Sequence, residues 1–146
     1  MFEISRETLD RASLLRSLPG NPAAGALATF EGWVRNHHQG RAVTRLEYEA
    51  YDDMARKEGD KIIAETAQKF DIHDACCVHR VGRLDIGEIA VWVGVTASHR
   101  TAALHACEYI IEQVKLRVPI WKKEFYAEGD SGWVNLVSSG VQELGS

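Results

Sequence analysis

Hydrophobic and polar residues change period several times along this chain, and each change predicts an element. Between Gly25 and Val34 the pattern alternates. Ala26, Ala28, Phe30, Gly32 and Val34 share one face of an extended segment, with Leu27, Thr29, Glu31 and Trp33 on the other. Val43–Ala50 alternates in the same way, Ala75–Val81 is a further strand candidate, and Phe2–Ile4 is a short one. Ile89–Thr96 is almost wholly apolar and rich in valine, which predicts a central strand buried on both faces. Ile120–Tyr126 alternates again and is the last main strand, placing Ile120, Lys122 and Glu124 on one face and Trp121, Lys123 and Phe125 on the other.

Three stretches carry helical spacing instead. Thr8–Leu18 presents Leu9, Ala12, Leu15 and Leu18 before Pro19, Gly20, Asn21 and Pro22 break the chain. A second helix, capped by Asp52 or Asp53, runs to about Phe70 with Met54, Ile62, Ile63, Ala67 and Phe70 as its apolar face; Gly59 weakens it without forbidding it. A third, capped by Ser98, carries Leu104, Cys107, Ile111 and Val114 and is stopped by Pro119. Arg35–Arg41 reads as a polar loop, Leu84–Glu88 and Glu128–Asp130 as turns, and about residues 137–146 as a loosely held tail. Mixed strands and helices without a repeat or linker predict one compact α+β domain over residues 1–146, built on a mixed, largely antiparallel sheet.

Composition narrows the partners. A formal net charge of −4 and a pI near 5.9 argue against a general nucleic-acid binder, although an acidic protein can still hold a local basic pocket. Cys76, Cys77 and Cys107 are odd in number, and adjacent cysteines on a strand point apart, so no disulfide framework is expected. The first residues lack the pattern of a signal peptide and no apolar run is long enough to span a bilayer; a cytoplasmic setting without membrane contact is expected. His37, His38, His73 and His79 match no zinc spacing, and no metal or cofactor is called for.

Three clusters can carry chemistry. Lys115 ends the third helix and Lys122 lies on the strand just after it, so the short link through Pro119 keeps the two close. Spacing alone leaves them open between a functional pair and two ordinary lysines, one favoured by the helix dipole and one guarding a strand edge. That dipole also raises the pKa of Lys115 unless burial or nearby cations offset it. Ser98-His99-Arg100-Thr101 opens the same helix, where outward-pointing amides attract anions; arginine there runs against the dipole, which leaves the segment open between an anion site and a simple cap followed by solvated polar residues. Arg35 stands in the loop after the first long strand, a common place for binding groups.

FEGWVRNHHQG (Phe30–Gly40), HRVGRLDIGE (His79–Glu88), VGVTASHRTAAL (Val93–Leu104) and above all KLRVPIWKKE (Lys115–Glu124) occur in the order found in the large subunit of molybdopterin synthase, and the chain resembles that family from about residue 25 to Trp133. The resemblance implies an α/β hammerhead fold and a homodimer within a heterotetramer. It implies a small ubiquitin-like partner with a C-terminal Gly-Gly thiocarboxylate, and transfer of two sulfurs to cyclic pyranopterin monophosphate to form the dithiolene of molybdopterin. Lys115 and Lys122 then match the family's essential lysines, and Arg35, His99 and Arg100 its anion-binding residues. Two departures stand out: His38 replaces the asparagine usual in the loop, and no lysine or arginine follows Lys123. A non-catalytic module that captures a protein's C-terminal carboxylate is the alternative, since the same cations would serve it. An RNA-binding sheet using Trp33, Tyr48 and Trp121 is a third reading, opposed by the acidic balance.

Overall fold

In the computed structural model, which describes residues 1–139, two sheets and two long helices share one main core, and a shorter helix covers a second, smaller cluster. The first sheet has the order β1 (Phe2–Ser5), β5 (Asp74–Arg80), β7 (Ile89–Ala97), β2 (Ala26–Trp33). Only the β1–β5 pair in it is parallel. The second is antiparallel and centres on β4 (Arg41–Ala50) and β8 (Ile120–Tyr126). The short strands β3 (His37–His38), β6 (Gly82–Asp85), β9 (Gly129–Asp130) and β10 (Val134–Asn135) extend it. The α+β class and the largely antiparallel pairing are as the alternation predicted.

β7 is buried along almost its whole length because both faces of its sheet are covered. Helices α2 (Asp52–Lys69) and α3 (Arg100–Arg117) pack on one side. On the other, α1 (Arg11–Ser17) and its flanks lay Leu9, Leu14 and Leu18 over Cys76, Val78, Ile89 and Trp92. Cys76 and Cys77 fall in these two different clusters, as alternation requires, and all three cysteines are free and buried.

Several local expectations need correction. The Arg35–Arg41 segment is not wholly a loop: His37–His38 pairs with Arg41–Ala42 across a tight turn at Gln39 and Gly40, both with positive φ. The LDIGE segment begins as strand, because Leu84 is buried and pairs with Leu46 before the chain turns. Ser98 does not cap α3: the cap position is His99, with no side-chain bond, and the Ser98 hydroxyl instead meets His73 Nε2 at 3.0 Å. Asp52 and Asp53 lie inside the first turn of α2, where they complement the dipole, while Tyr51 holds the cap position. α1 is shorter than predicted and is capped by Asp10, whose carboxylate accepts from the Ser13 amide. The expected tail from 137 lies almost entirely outside the described residues; the chain up to 139 ends in a short helix, α4 (Leu136–Ser139).

The helix faces match the expected stripes in part, with Ile62 of α2 and Cys107, Ile111 and Val114 of α3 buried. Met54 and Leu104 are exposed, and α2 buries Ala55, Gly59, Ile62 and Thr66. The spacing is still helical, but small side chains line the contact so that α2 can close on β1. Gly59 is the tightest point: a Cβ there would collide with the Phe2 ring. Gly59→Ala should therefore destabilise by about 1–3 kcal/mol through overpacking, although alanine is favoured over glycine by about 1 kcal/mol within a helix. Urea unfolding checks this, and adding Phe2→Val should recover part of the loss; a stabilised Gly59→Ala protein would refute the contact.

Candidate active site

The junction of α3 and β8 organises the site. α3 ends at Arg117, Val118 is its cap, and Pro119 prevents another helical turn, so β8 starts at once. Arg117 fixes this end by reaching back to α2, bonding Glu58 at 2.8 Å and Glu65 at 2.6 and 3.0 Å. Lys115, one half-turn earlier, is 7% exposed. Lys122, on the inward face of β8, is 3% exposed and stands opposite Tyr48 in the β4–β8 register. β8 follows the predicted alternation: Ile120, Lys122 and Glu124 are buried and their neighbours are half-buried.

Burial holds the Lys115 amine below the ordinary lysine range, and the positive charge of Lys122 pushes it the same way; Glu112, one turn back on α3, works against both. Burial and a nearby cation, the two offsets to the dipole anticipated from sequence, are thus both present. A lysine with a lowered pKa offers more free amine near neutrality than an ordinary one.

Lys122 lines a cleft with Arg35, His38, Tyr48 and Glu124. Glu124 Oε1 lies 3.8 Å from the Lys122 amine and 3.9 Å from His38 Nε2, all three side chains being largely buried. Burial first, and then the negative charge of Glu124, pushes the Tyr48 hydroxyl well above the usual tyrosine range, so it stays protonated. Lys115 borders a neighbouring groove between α3 and β2, with Phe30, Ile111 and Glu112. β2 borders both openings, through Phe30 in the groove and through Gly32 and Trp33 in the cleft.

The five residues singled out from sequence do not all meet within one chain. Arg35 and Lys122 share the cleft, and Lys115 is within electrostatic reach of Lys122. His99 and Arg100 are exposed at the opposite end of α3, about 22 Å from Lys115 at the usual helical rise. Tyr48, Glu124 and His38 join the cleft without having been singled out as site residues. The signal for Glu124 was already present in its sharing a strand face with Lys122. The three aromatics considered for RNA stacking form no common platform: Tyr48 is buried, Trp121 lies on the outward face of β8, and Trp33 is exposed on the other sheet. Among the described residues no group of three or more His, Cys, Asp or Glu side chains is arranged to hold a metal, and no helix is long and apolar enough to cross a membrane.

Behind the cleft, His79 packs edge-on against Tyr48, with ring centroids 5.1 Å apart. Its Nδ1 lies 2.7 Å from the Arg80 carbonyl, an acceptor, so that nitrogen carries the proton. Arg80 is itself buried and bonds Glu88 at 2.6 Å.

Fold and site together define an α+β domain with a buried lysine pair at a helix–strand junction, beside an arginine-bearing cleft. The chain belongs to the MoaE family, residues 4–117 matching the family model described as MoaE protein. It is 40% identical to the molybdopterin synthase catalytic subunit of Thermoplasma volcanium over 90% of this chain and 95% of that one. It is 42% identical to the Bacillus subtilis protein of the same name, over 91% and 83%. The crystal structure of molybdopterin synthase from Staphylococcus aureus matches with a TM-score of 0.85 at 40% identity, covering 92% of this chain and 96% of that chain.

Burial lowers the His79 pKa from the usual 6.5 to about 4, opposed only by the bond to Arg80. The unfolded chain therefore binds a proton that the folded chain refuses between those values. The contribution is complete above pH 6.5 and is lost as pH falls toward 4. Unfolding free energy should drop by about 2–3 kcal/mol from this group between pH 7 and pH 4.5. Replacing His79 by Phe should flatten that part of the profile, as measured by urea titration across pH; an unchanged slope would remove His79 as its source.

Proposed function

We propose that this chain is the catalytic subunit of a molybdopterin synthase. It acts as a sulfurtransferase, passing two sulfurs from the C-terminal Gly-Gly thiocarboxylate of a small ubiquitin-like subunit to cyclic pyranopterin monophosphate. The carrying observation is the buried Lys115 amine, lowered in pKa within reach of Lys122 and next to the Arg35 cleft. The substrate phosphate, the thiocarboxylate and the acyl-transfer intermediates are all anionic, and fixed cations in a part-dry site stabilise charge as it develops. Lys115 serves as the acid–base group, Lys122 and Arg35 bind the tail and the substrate, and the protonated Tyr48 hydroxyl adds a neutral donor to the cleft wall.

His99 and Arg100 enter this scheme through a second copy of the chain. β2 is an edge strand of its sheet, and beside it α3 turns Leu104 and Leu116 outward along the groove that ends at Lys115. An exposed apolar helix face next to an unpaired strand edge suits a two-fold pairing, because an isologous contact needs only one self-complementary patch. With α3 antiparallel to its mate about an axis near Cys107 and Glu108, Arg100 of one copy comes opposite Lys115 of the other. Each dimer then holds two sites, each with cations from both chains. The dimer binds two small subunits as a heterotetramer.

The decisive experiment mixes the purified protein with a thiocarboxylated small subunit and the cyclic pterin and measures dithiolene formation. Lys115→Ala should lower the rate by about a hundredfold or more. A protein that binds the tail but converts no pterin would be a carboxylate-capturing module instead. Lys115→Ala and Arg100→Ala proteins, each nearly inactive, should regain about a quarter of full activity when unfolded and refolded together in equal amounts. Half the dimers are then hybrid, with one intact site in two. No recovery would refute the shared site while leaving the sulfur-transfer reading in place.

A further inference from the structure

His38 is held in position more firmly than a loop residue would be. It sits on a two-residue strand closed by a turn at Gln39 and Gly40, both in the left-handed region, and it pairs with Arg41. The backbone bond from Val43 to Asn36 closes the other end of this hairpin. The imidazole is thereby placed against Glu124 within the cleft that also holds Arg35 and Lys122. Its neighbour His37 also borders the cleft and meets the Asn36 side chain at 2.9 Å.

Glu124 is an awkward group for an anion site. Its carboxylate is buried beside Lys122 and opposes any negatively charged guest drawn there. With a neutral imidazole, Glu124 cancels part of the positive field of Arg35 and Lys122. With a protonated imidazole the carboxylate is neutralised from the other side, because His38 and Lys122 approach the same oxygen, Oε1. Among the described residues, the charged and titratable groups around His38 include Arg35 and His37 on its own segment, Arg41 and Tyr48 on β4, and Lys122 and Glu124 on β8. Among these, the two histidines are of the type that ordinarily changes charge between pH 5 and 8, and of the two only His38 is placed against Glu124.

We propose that His38 is a proton-linked positioning residue of the cleft: its protonation offsets Glu124, releases the field of Lys122 and Arg35 toward an anionic ligand, and so couples anion binding to uptake of one proton. The inference rests on the anion-site reading above. Linkage is reciprocal, so an anion in the cleft must favour the protonated imidazole to the same extent that protonation favours the anion.

Sulfate is a suitable probe, because its own charge is constant over the range in which imidazoles titrate. Calorimetry with the full-length protein, in buffers of different ionisation enthalpy, yields both affinity and protons exchanged. The wild-type protein should bind sulfate about fivefold or more tightly near pH 5.5 than near pH 8, with proton uptake at intermediate pH. His38→Asn and His38→Gln should bind with much flatter pH dependence and lose that uptake. Glu124→Gln should bind tightly even near pH 8, since the charge that His38 offsets is gone. His99→Asn controls for an imidazole contributed by a second copy. Undiminished proton uptake in both His38 variants overturns the inference while leaving the anion site standing. Sulfate binding that Arg35→Ala does not weaken overturns the anion-site reading and this inference with it.

Discussion

The structure depends on keeping two like-charged amines buried within reach of each other. Removing a charge from water is expensive, and placing a second one beside it adds repulsion. Lys115 shows the outcome directly, in a pKa lowered by burial and by Lys122 and only partly restored by Glu112. Lys122 is accommodated differently, with Glu124 beside it on the same strand face. The rest of the fold can be understood as the frame that enforces this arrangement. The Arg117 clamp to Glu58 and Glu65 fixes the end of α3 against α2, Pro119 cuts the helix off, and the β4–β8 ladder fixes which side chains of β8 point inward.

That frame is itself set by close packing of small residues. α2 reaches β1 through Ala55 and Gly59, with the Phe2 ring lying where a Cβ at 59 would stand. Gly94, in the middle of β7, leaves room for the Trp92 ring in the same way. Glycine in a helix or strand interior costs conformational entropy, and at these two positions the cost is offset by contact that no larger residue permits.

Much of this was legible in the sequence, and the misses have definite causes. Strand alternation put Lys122 and Glu124 on one face and Trp121 and Lys123 on the other, because a period of two leaves no freedom, and the structure shows the first of these faces to be the buried one. The unbroken apolar run of β7 likewise announced a strand covered on both sides. Helix faces were harder. Large apolar residues such as Met54 and Leu104 mark a helical period but not which side of the helix closes on the core, and here small residues such as Ala55, Gly59, Ala103 and Ala106 share the buried faces with Ile62, Ile110 and Ile111. The hairpin at His37–Arg41 was hidden because its signal is a two-residue turn with positive φ at Gln39, a residue type that seldom advertises such a turn. The distance from Arg100 to Lys115 was calculable all along, since both lie on one predicted helix. The length of that helix already kept the two residues from meeting within one chain.

That length is what gives the proposed second copy its physical force. A single α3 cannot bend its first turn back to its last, so one chain leaves the cations at the ends of this helix apart. The two ends also differ in kind. The first turn presents outward-pointing amides and the positive pole of the dipole, strengthened by His99 and Arg100, while the last turn offers the negative pole and a lysine whose pKa is lowered by burial. An antiparallel pair of such helices sets a positive pole with its anion-seeking groups beside the end where the amine sits, and aligns opposite dipole ends at both sites. An anion bridging the pair would lie between groups that bind charge and a group able to exchange a proton. Sharing the site between copies would thus separate the two tasks onto two backbones, and a two-fold axis would make one helix sequence serve for both.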